Sequence, residues 1–127
     1  MKLLLDTHTF IWWDSDPAQL SATALAALLD PGNEVWLSIA SVWGMVIKAD
    51  LGKLTLRLPL QDIIQQQQVN GVRILPITLE HTLGVEGLPA IHKDPFDRML
   101  IAQSRVERAD LVSADQVIHQ NPVRVLW

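Results

Sequence analysis

Asp6, Asp94, Asp97 and Asp115 come from three separate stretches of the chain, and together they suit one kind of chemistry. Carboxylates crowd together only at a cost unless a cation neutralises them. Mg²⁺ and Mn²⁺ take oxygen ligands of this kind. One or two such ions activate water and steady the charge on a scissile phosphate. Each aspartate also has a plainer use. Asp6 can cap the helix that follows it. Asp94 stands immediately before Pro95, a favoured first helical residue, and capping alone accounts for it. Asp97 can complete a capping box or meet the helix dipole, and Asp115 can be a turn residue. A charge closing an apolar strand is costly without a task, so function is preferred at Asp6, and it is preferred over the turn reading at Asp115. Acidic pockets at sheet edges also serve phosphate-transfer receivers and dehalogenase-like phosphatases. The latter want a second aspartate two residues after the nucleophile, and here that position is His8.

The four histidines, His8, His81, His92 and His119, show no HxxxH or HxH spacing, so a histidine metal site is not expected. His8 lies close enough to Asp6 to touch a pocket there. His92 and Lys93 precede the Asp94 turn and are placed to contact phosphate. His81 and His119 read as ordinary surface residues. Trp12, Trp13, Trp36 and Trp43 read as core or interface residues rather than base-stacking platforms. Trp12-Trp13 is the better interface candidate, because two adjacent helical side chains cannot share one buried face.

The elements that must position these residues alternate. Apolar runs at Leu3–Leu5, Val35–Leu37, Arg73–Ile77, Leu111–Ser113 and Val123–Leu126 read as strands. Between them, helices are expected over Thr7–Trp13, from a Ser21 cap to Leu29, from Ser38 to Leu51, over Pro59–Val69, from a Thr78 cap to Val85, and from Asp94-Pro95 to Arg108. Gly52 and Asn70-Gly71 end two of them. The run Gln65–Gln68 is expected on a solvated face. Such alternation implies βαβ units, right-handed crossovers and a parallel α/β sheet with helices on both faces. In such sheets, sites form beyond the carboxyl ends of the strands, which is where Asp6, Ser38 and the Ser113-Ala114-Asp115 step fall.

Composition narrows the class. The chain has 127 residues, about one ordinary domain, and one domain over 1–127 is expected. Apolar residues make up 49% and charged residues 19%, too apolar for a disordered chain. The absence of cysteine excludes disulfides and thiolate metal sites and fits a cytoplasmic home. No run reaches the roughly 18 apolar residues of a membrane helix, and the apolar start is broken by Asp6 and His8, so it reads as a strand rather than a signal peptide. A net charge of -4 argues against a broad basic surface for nucleic acid. It leaves room for an enzyme that meets phosphates through bound cations.

Four stretches in this order resemble the PIN-domain ribonucleases, and among them the VapC-like toxins of bacterial toxin–antitoxin pairs. They are Leu3-Leu4-Leu5-Asp6-Thr7-His8, Ser38-Ile39-Ala40-Ser41-Val42-Trp43-Gly44-Met45, His92-Lys93-Asp94-Pro95-Phe96-Asp97-Arg98-Met99-Leu100-Ile101-Ala102-Gln103, and Leu111-Val112-Ser113-Ala114-Asp115. The resemblance covers essentially the whole chain. It implies a single PIN-like domain with a five-stranded parallel sheet and Mg²⁺- or Mn²⁺-dependent cleavage of RNA. It further implies homodimers and a small antitoxin that blocks the site. By resemblance, Asp6, Asp97 and Asp115 would be the metal-holding acids, with Asp94 close by in the catalytic set. Thr7, Ser38 and Ser113 would support the pocket.

One position departs from that pattern. Similar chains carry glutamate where this one has Gly44. Glycine supplies no carboxylate, and it costs about 1 kcal/mol against alanine inside a helix. Ser41, Gly44 and Lys48 would share one helix face, so a glutamate there would reach the pocket and Lys48 would steady it. The leading expectation is therefore a metal-dependent endoribonuclease of the toxin type, impaired at Gly44. The gap either inactivates an otherwise active nuclease, the preferred reading, or marks a chain that binds RNA or an antitoxin without cutting.

Overall fold

A computed structural model describes all residues, 1–127. Five strands, β1 (Lys2–Leu5), β2 (Glu34–Ser38), β3 (Arg73–Leu75), β4 (Asp110–Val112) and β5 (Val125–Leu126), form one sheet in the order β3-β2-β1-β4-β5. Every neighbouring pair is parallel, with Leu5 opposite Leu37 on one side and Val112 on the other. The five-stranded parallel sheet expected from the alternation is present. β1 is central because its side chains are apolar on both faces. Leu3 and Leu5 point into one core with Phe10, Leu37 and Val112, while Leu4 points into a second with Leu100, Ile101 and Leu111.

The helices cover both faces. α1 (Thr7–Ser15), α2 (Ala22–Leu29) and α4 (Leu60–Val69) bring Phe10, Leu28 and Ile63 to the first core. α6 (Pro95–Glu107) brings Leu100 and Ile101 to the second. α3 (Ile39–Asp50) sends Met45 to the first core and Ala40 to the second. α5 (Leu79–Glu86) packs along α6. Ser21 and Thr78 cap α2 and α5 as their hydroxyls suggest, and α3 gives way to Gly52 in the left-handed region, φ 72°.

Several expectations are corrected. The third strand stops at Leu75 because Pro76 has no N–H for the ladder. The fifth keeps only two residues. A one-turn helix, α7 (Gln116–His119), and a 3₁₀ turn at Pro17–Gln19 are additional. Gln67 is buried, not solvated: its side chain accepts from Trp13 Nε1 at 3.1 Å and donates to Asp14 Oδ1 at 3.0 Å. Arg57 closes that network with two bonds of 2.8 Å to Asp14. His81 is also buried, at 1% exposure. Its Nδ1 accepts the Thr78 N–H at 3.1 Å, which leaves Nε2–H to meet Glu107 at 2.9 Å. Trp43 is 59% exposed, edge-on to Phe96.

Candidate active site

The strand order turns back on itself at β1. The chain runs outward through β2 and β3, then returns to lay β4 on the other side of β1. The crevice beyond the carboxyl ends of β1 and β4 is the switch point where open parallel sheets place their sites. Asp6 enters it directly from β1. Its N–H donates to Val112 O at 3.1 Å, and its Oδ1 accepts the Thr9 N–H at 2.7 Å, capping α1. Asp115 enters after β4. Its N–H donates to the buried Ser113 Oγ at 3.0 Å, and its Oδ1 accepts from Val117 at 2.8 Å, capping α7. Asp94 caps α6, accepting from Phe96 at 2.8 Å and Asp97 at 3.3 Å through Oδ1. Each of these carboxylates spends one oxygen on a helix start and has the other clear of backbone donors.

Asp97 is the third residue of α6 and caps nothing. All four aspartates line one cavity of about 60 Å³, with Thr7, Gly44 and Lys48 on its wall. The crowding has an electrostatic consequence. Burial, then the neighbouring charge of Asp94, then those of Asp6 and Asp115, push the Asp97 carboxyl up to about 6, against the opposing pull of His92. A carboxyl so placed needs a cation or a proton.

His92 provides a contact that its spacing did not announce. Its Nε2 lies 3.0 Å from Asp97 Oδ2 and 3.4 Å from Asp115 Oδ2. The Asp94 N–H donates to His92 Nδ1 at 3.2 Å, so in the neutral ring the proton sits on Nε2. His92 therefore donates to the two carboxylates and bridges them. A ligating nitrogen at the same ring position would need that Nδ1 bond broken. The only hint in sequence was the His92-Lys93-Asp94 turn, since the bridge to Asp115 spans 23 residues. A ring nitrogen of His92 and one carboxylate oxygen each of Asp97 and Asp115 lie within 4.8 Å of one another. With Asp6 on the same wall, this oxygen-rich set suits a hard divalent cation.

The remaining expected residues take supporting places. Thr7 is buried on the cavity wall and donates to Ser41 Oγ at 3.2 Å. Ser38 is fully buried and caps α3, accepting from Ala40 at 3.0 Å, so it orients the helix that carries position 44. Ser113 holds the Asp115 backbone. His8 lines the cavity as expected, and His119 is exposed with Nε2 donating to Ser113 O at 2.9 Å. The largest hollow, about 530 Å³, opens at the opposite edge near Asp30, Glu34 and Arg73. It gathers no cluster of acids, so the chemistry lies elsewhere.

A family model described as PIN domain matches residues 3–123. The chain belongs to the PIN domain family. Ribonuclease VapC22 of Mycobacterium tuberculosis (strain ATCC 25618 / H37Rv) is 28% identical over 128 residues, covering 97% of each protein. The PIN fold is shared with two solved structures. VapBC2 from Rickettsia felis, bound to a DNA fragment from their promoter, superposes with a TM-score of 0.72 at 13% identity, over 98% of this chain and 96% of that one. VapBC-1 from nontypeable Haemophilus influenzae gives 0.60 at 16% identity, over 94% and 91%.

Position 44 of this PIN chain has room for a side chain. A Cβ built on Gly44 would meet the Phe96 ring at 3.6 Å, an ordinary contact. The glycine is therefore not demanded by close packing. Lys48, one turn along α3, lines the same cavity and makes no ion pair with any carboxylate.

Proposed function

We propose that this chain is a metal-dependent endoribonuclease of the VapC toxin type, and that Gly44 weakens it. The observation that carries this reading is the convergence of Asp6, Asp94, Asp97 and Asp115 in one cavity at the sheet's switch point. Asp6, Asp97 and Asp115 would hold Mg²⁺ or Mn²⁺, with Asp94 at the outer edge of the set. A bound divalent ion supplies Lewis-acid polarisation of the phosphoryl oxygen and activation of water. The chain's own residues do the rest. The capping bonds of Asp6, Asp94 and Asp115 fix those carboxylates to three helix starts, and His92 bridges Asp97 and Asp115. The Lys48 ammonium on the same wall is available to a non-bridging phosphate oxygen of RNA.

Partner and context follow from the same reading. The relative is named a ribonuclease, and the two solved neighbours are toxin–antitoxin complexes. A cognate antitoxin, a homodimer and a cytoplasmic setting are proposed with it. No helix is long and apolar enough to cross a membrane. Gly44 specifically favours a second reading, a PIN module that binds RNA or antitoxin without cutting.

RNA cleavage with Mn²⁺ and with Mg²⁺, before and after Gly44→Glu, separates the two. The expected result is little cleavage by the parent chain and clear cleavage by the Gly44→Glu variant, abolished by adding Asp6→Asn. Failure of Gly44→Glu to cut RNA that the parent chain binds favours the binding module. Failure of both proteins to bind RNA overturns both readings of the substrate.

A further inference from the structure

We propose that Trp12 and His8 form a nucleobase subsite beside the carboxylates, on which one unpaired base of a single-stranded RNA stacks. The proposal rests on the ribonuclease reading above and names where its substrate is gripped.

A hollow of about 330 Å³ adjoins the acidic cavity and is lined by Asp6, His8, Trp12, Ala114 and Asp115. The two spaces share Asp6, His8 and Asp115. A phosphodiester held over the carboxylates therefore puts an adjacent nucleoside into this hollow. The walls select the part of the nucleotide that fits. Asp6 and Asp115 repel a second phosphate, while Lys48 stands only in the other cavity. What remains for the hollow is the uncharged base. Every base offers a π face to an aromatic side chain.

The aromatic pair is built for such a role. His8 and Trp12 are one helical turn apart on α1, so their side chains share a face. Their ring centroids lie 5.9 Å apart at 34°. Trp12 is backed by Trp127, also at 5.9 Å and tilted 52°, which restrains the indole before a ligand arrives. His8 is exposed and Trp12 half-buried, so an aromatic surface remains open. Ala114 is too small to close the hollow. The neighbouring Trp13 has a different job: its Nε1 is tied to Gln67 and the Asp14 network. Two adjacent tryptophans thus divide, one joined to the buried polar network and one facing the site.

The test measures binding rather than cleavage, so Gly44 does not obscure it. A fluorescein-labelled single-stranded RNA dodecamer of mixed sequence is compared with a ribose-phosphate dodecamer lacking bases, both in Ca²⁺. The full chain should bind the RNA about five- to a hundredfold more tightly than the base-free strand. Trp12→Leu should remove most of that advantage and leave base-free binding unchanged, and His8→Ala should reduce it in the same direction. Circular dichroism checks folding. Should Trp12→Leu not fold, exposed His8→Ala together with Trp12→Phe, which should keep most of the advantage, carries the test. Equal binding of the two strands overturns the subsite, as does equal weakening of both by the His8 and Trp12 variants. Normal preference for base-bearing RNA with impaired capture of an antitoxin peptide would assign the hollow to a protein partner instead. Binding of neither strand overturns the ribonuclease reading itself and the subsite with it.

Discussion

Asp97→Asn should stabilise this protein at neutral pH when no divalent ion is present. Asp97 has an ordinary carboxyl value of 3.8 in the unfolded chain, and the fold raises it to about 6. The folded state therefore holds the proton more tightly than the unfolded state does. Stability from this group is unaffected below about pH 4, falls as pH rises from about 4 to 6, and carries the full penalty above that. At about 1.36 kcal/mol per unit, the rise corresponds to a ceiling of about 3 kcal/mol. The side chain is 20% exposed, so solvent trims the ceiling, and a gain of about 1–3 kcal/mol is expected. Asparagine removes the charge and keeps an oxygen for the His92 Nε2–H. Urea unfolding of parent and Asp97→Asn in EDTA at pH 7.5 and pH 4 reads this directly. The variant should be the more stable at pH 7.5 and equal at pH 4. Saturating Mn²⁺ should reverse the order by stabilising the parent, about 4.1 kcal/mol at a thousand times the dissociation constant. An Asp97→Asn variant less stable than the parent in EDTA at pH 7.5, or a difference independent of pH, would refute the electrostatic account.

Other perturbations have equally definite outcomes. His92→Ala lets Asp97 and Asp115 part and should weaken Mn²⁺ binding by calorimetry about tenfold, while His92→Gln, which keeps an N–H donor, should recover much of it. Gly44→Glu should tighten the same Mn²⁺ binding: its Cβ meets Phe96 at an ordinary 3.6 Å, and the Tm lost in EDTA by adding a carboxylate beside the four aspartates should be recovered in Mn²⁺. Burial alone would raise the Asp14 carboxyl, but hydrogen bonds from Arg57 and Gln67 outweigh it and hold the group below its usual range. Asp14→Ala should therefore cost on the order of 1–2 kcal/mol in urea at pH 7. That cost should shrink as pH falls below about 4 and Asp14 becomes protonated in the parent.

Much of the fold lies open in the sequence because short apolar runs and capping residues are local features. Leu3-Leu4-Leu5 can only be buried on both faces, and Asp6 then falls at a strand end by adjacency. Ser21, Thr78 and Asp94 announce helix starts through hydroxyl and carboxylate oxygens that reach the next turn. What stays hidden depends on partners far along the chain. Gln67 is buried because Asp14, 53 residues away, needs its N–H. His81 can be buried because Glu107, 26 residues on, accepts a hydrogen bond from its Nε2–H. The His92 bridge needs Asp115 delivered by β4. α7 is too short for any periodicity to show. The convergence of the acids was legible from topology, since parallel strands carry their ends to one edge. The Asp97 environment was not, because its shift comes from burial and three neighbouring charges that only the folded chain assembles.

The double use of the acids has a consequence for how such an enzyme can be silenced. Asp6, Asp94 and Asp115 each hold a helix start as well as facing the cavity. Replacing any of them with an apolar residue removes a cap worth about 1 kcal/mol and so erodes the scaffold together with the chemistry. Position 44 and Asp97 carry no such second duty. In the proposed nuclease they are positions where a carboxylate can be lost while each of these helix starts keeps its cap. On the ribonuclease proposal, the glycine at 44 would remove a carboxylate from the cavity wall while the caps of Asp6, Asp94 and Asp115 keep their helix starts in place.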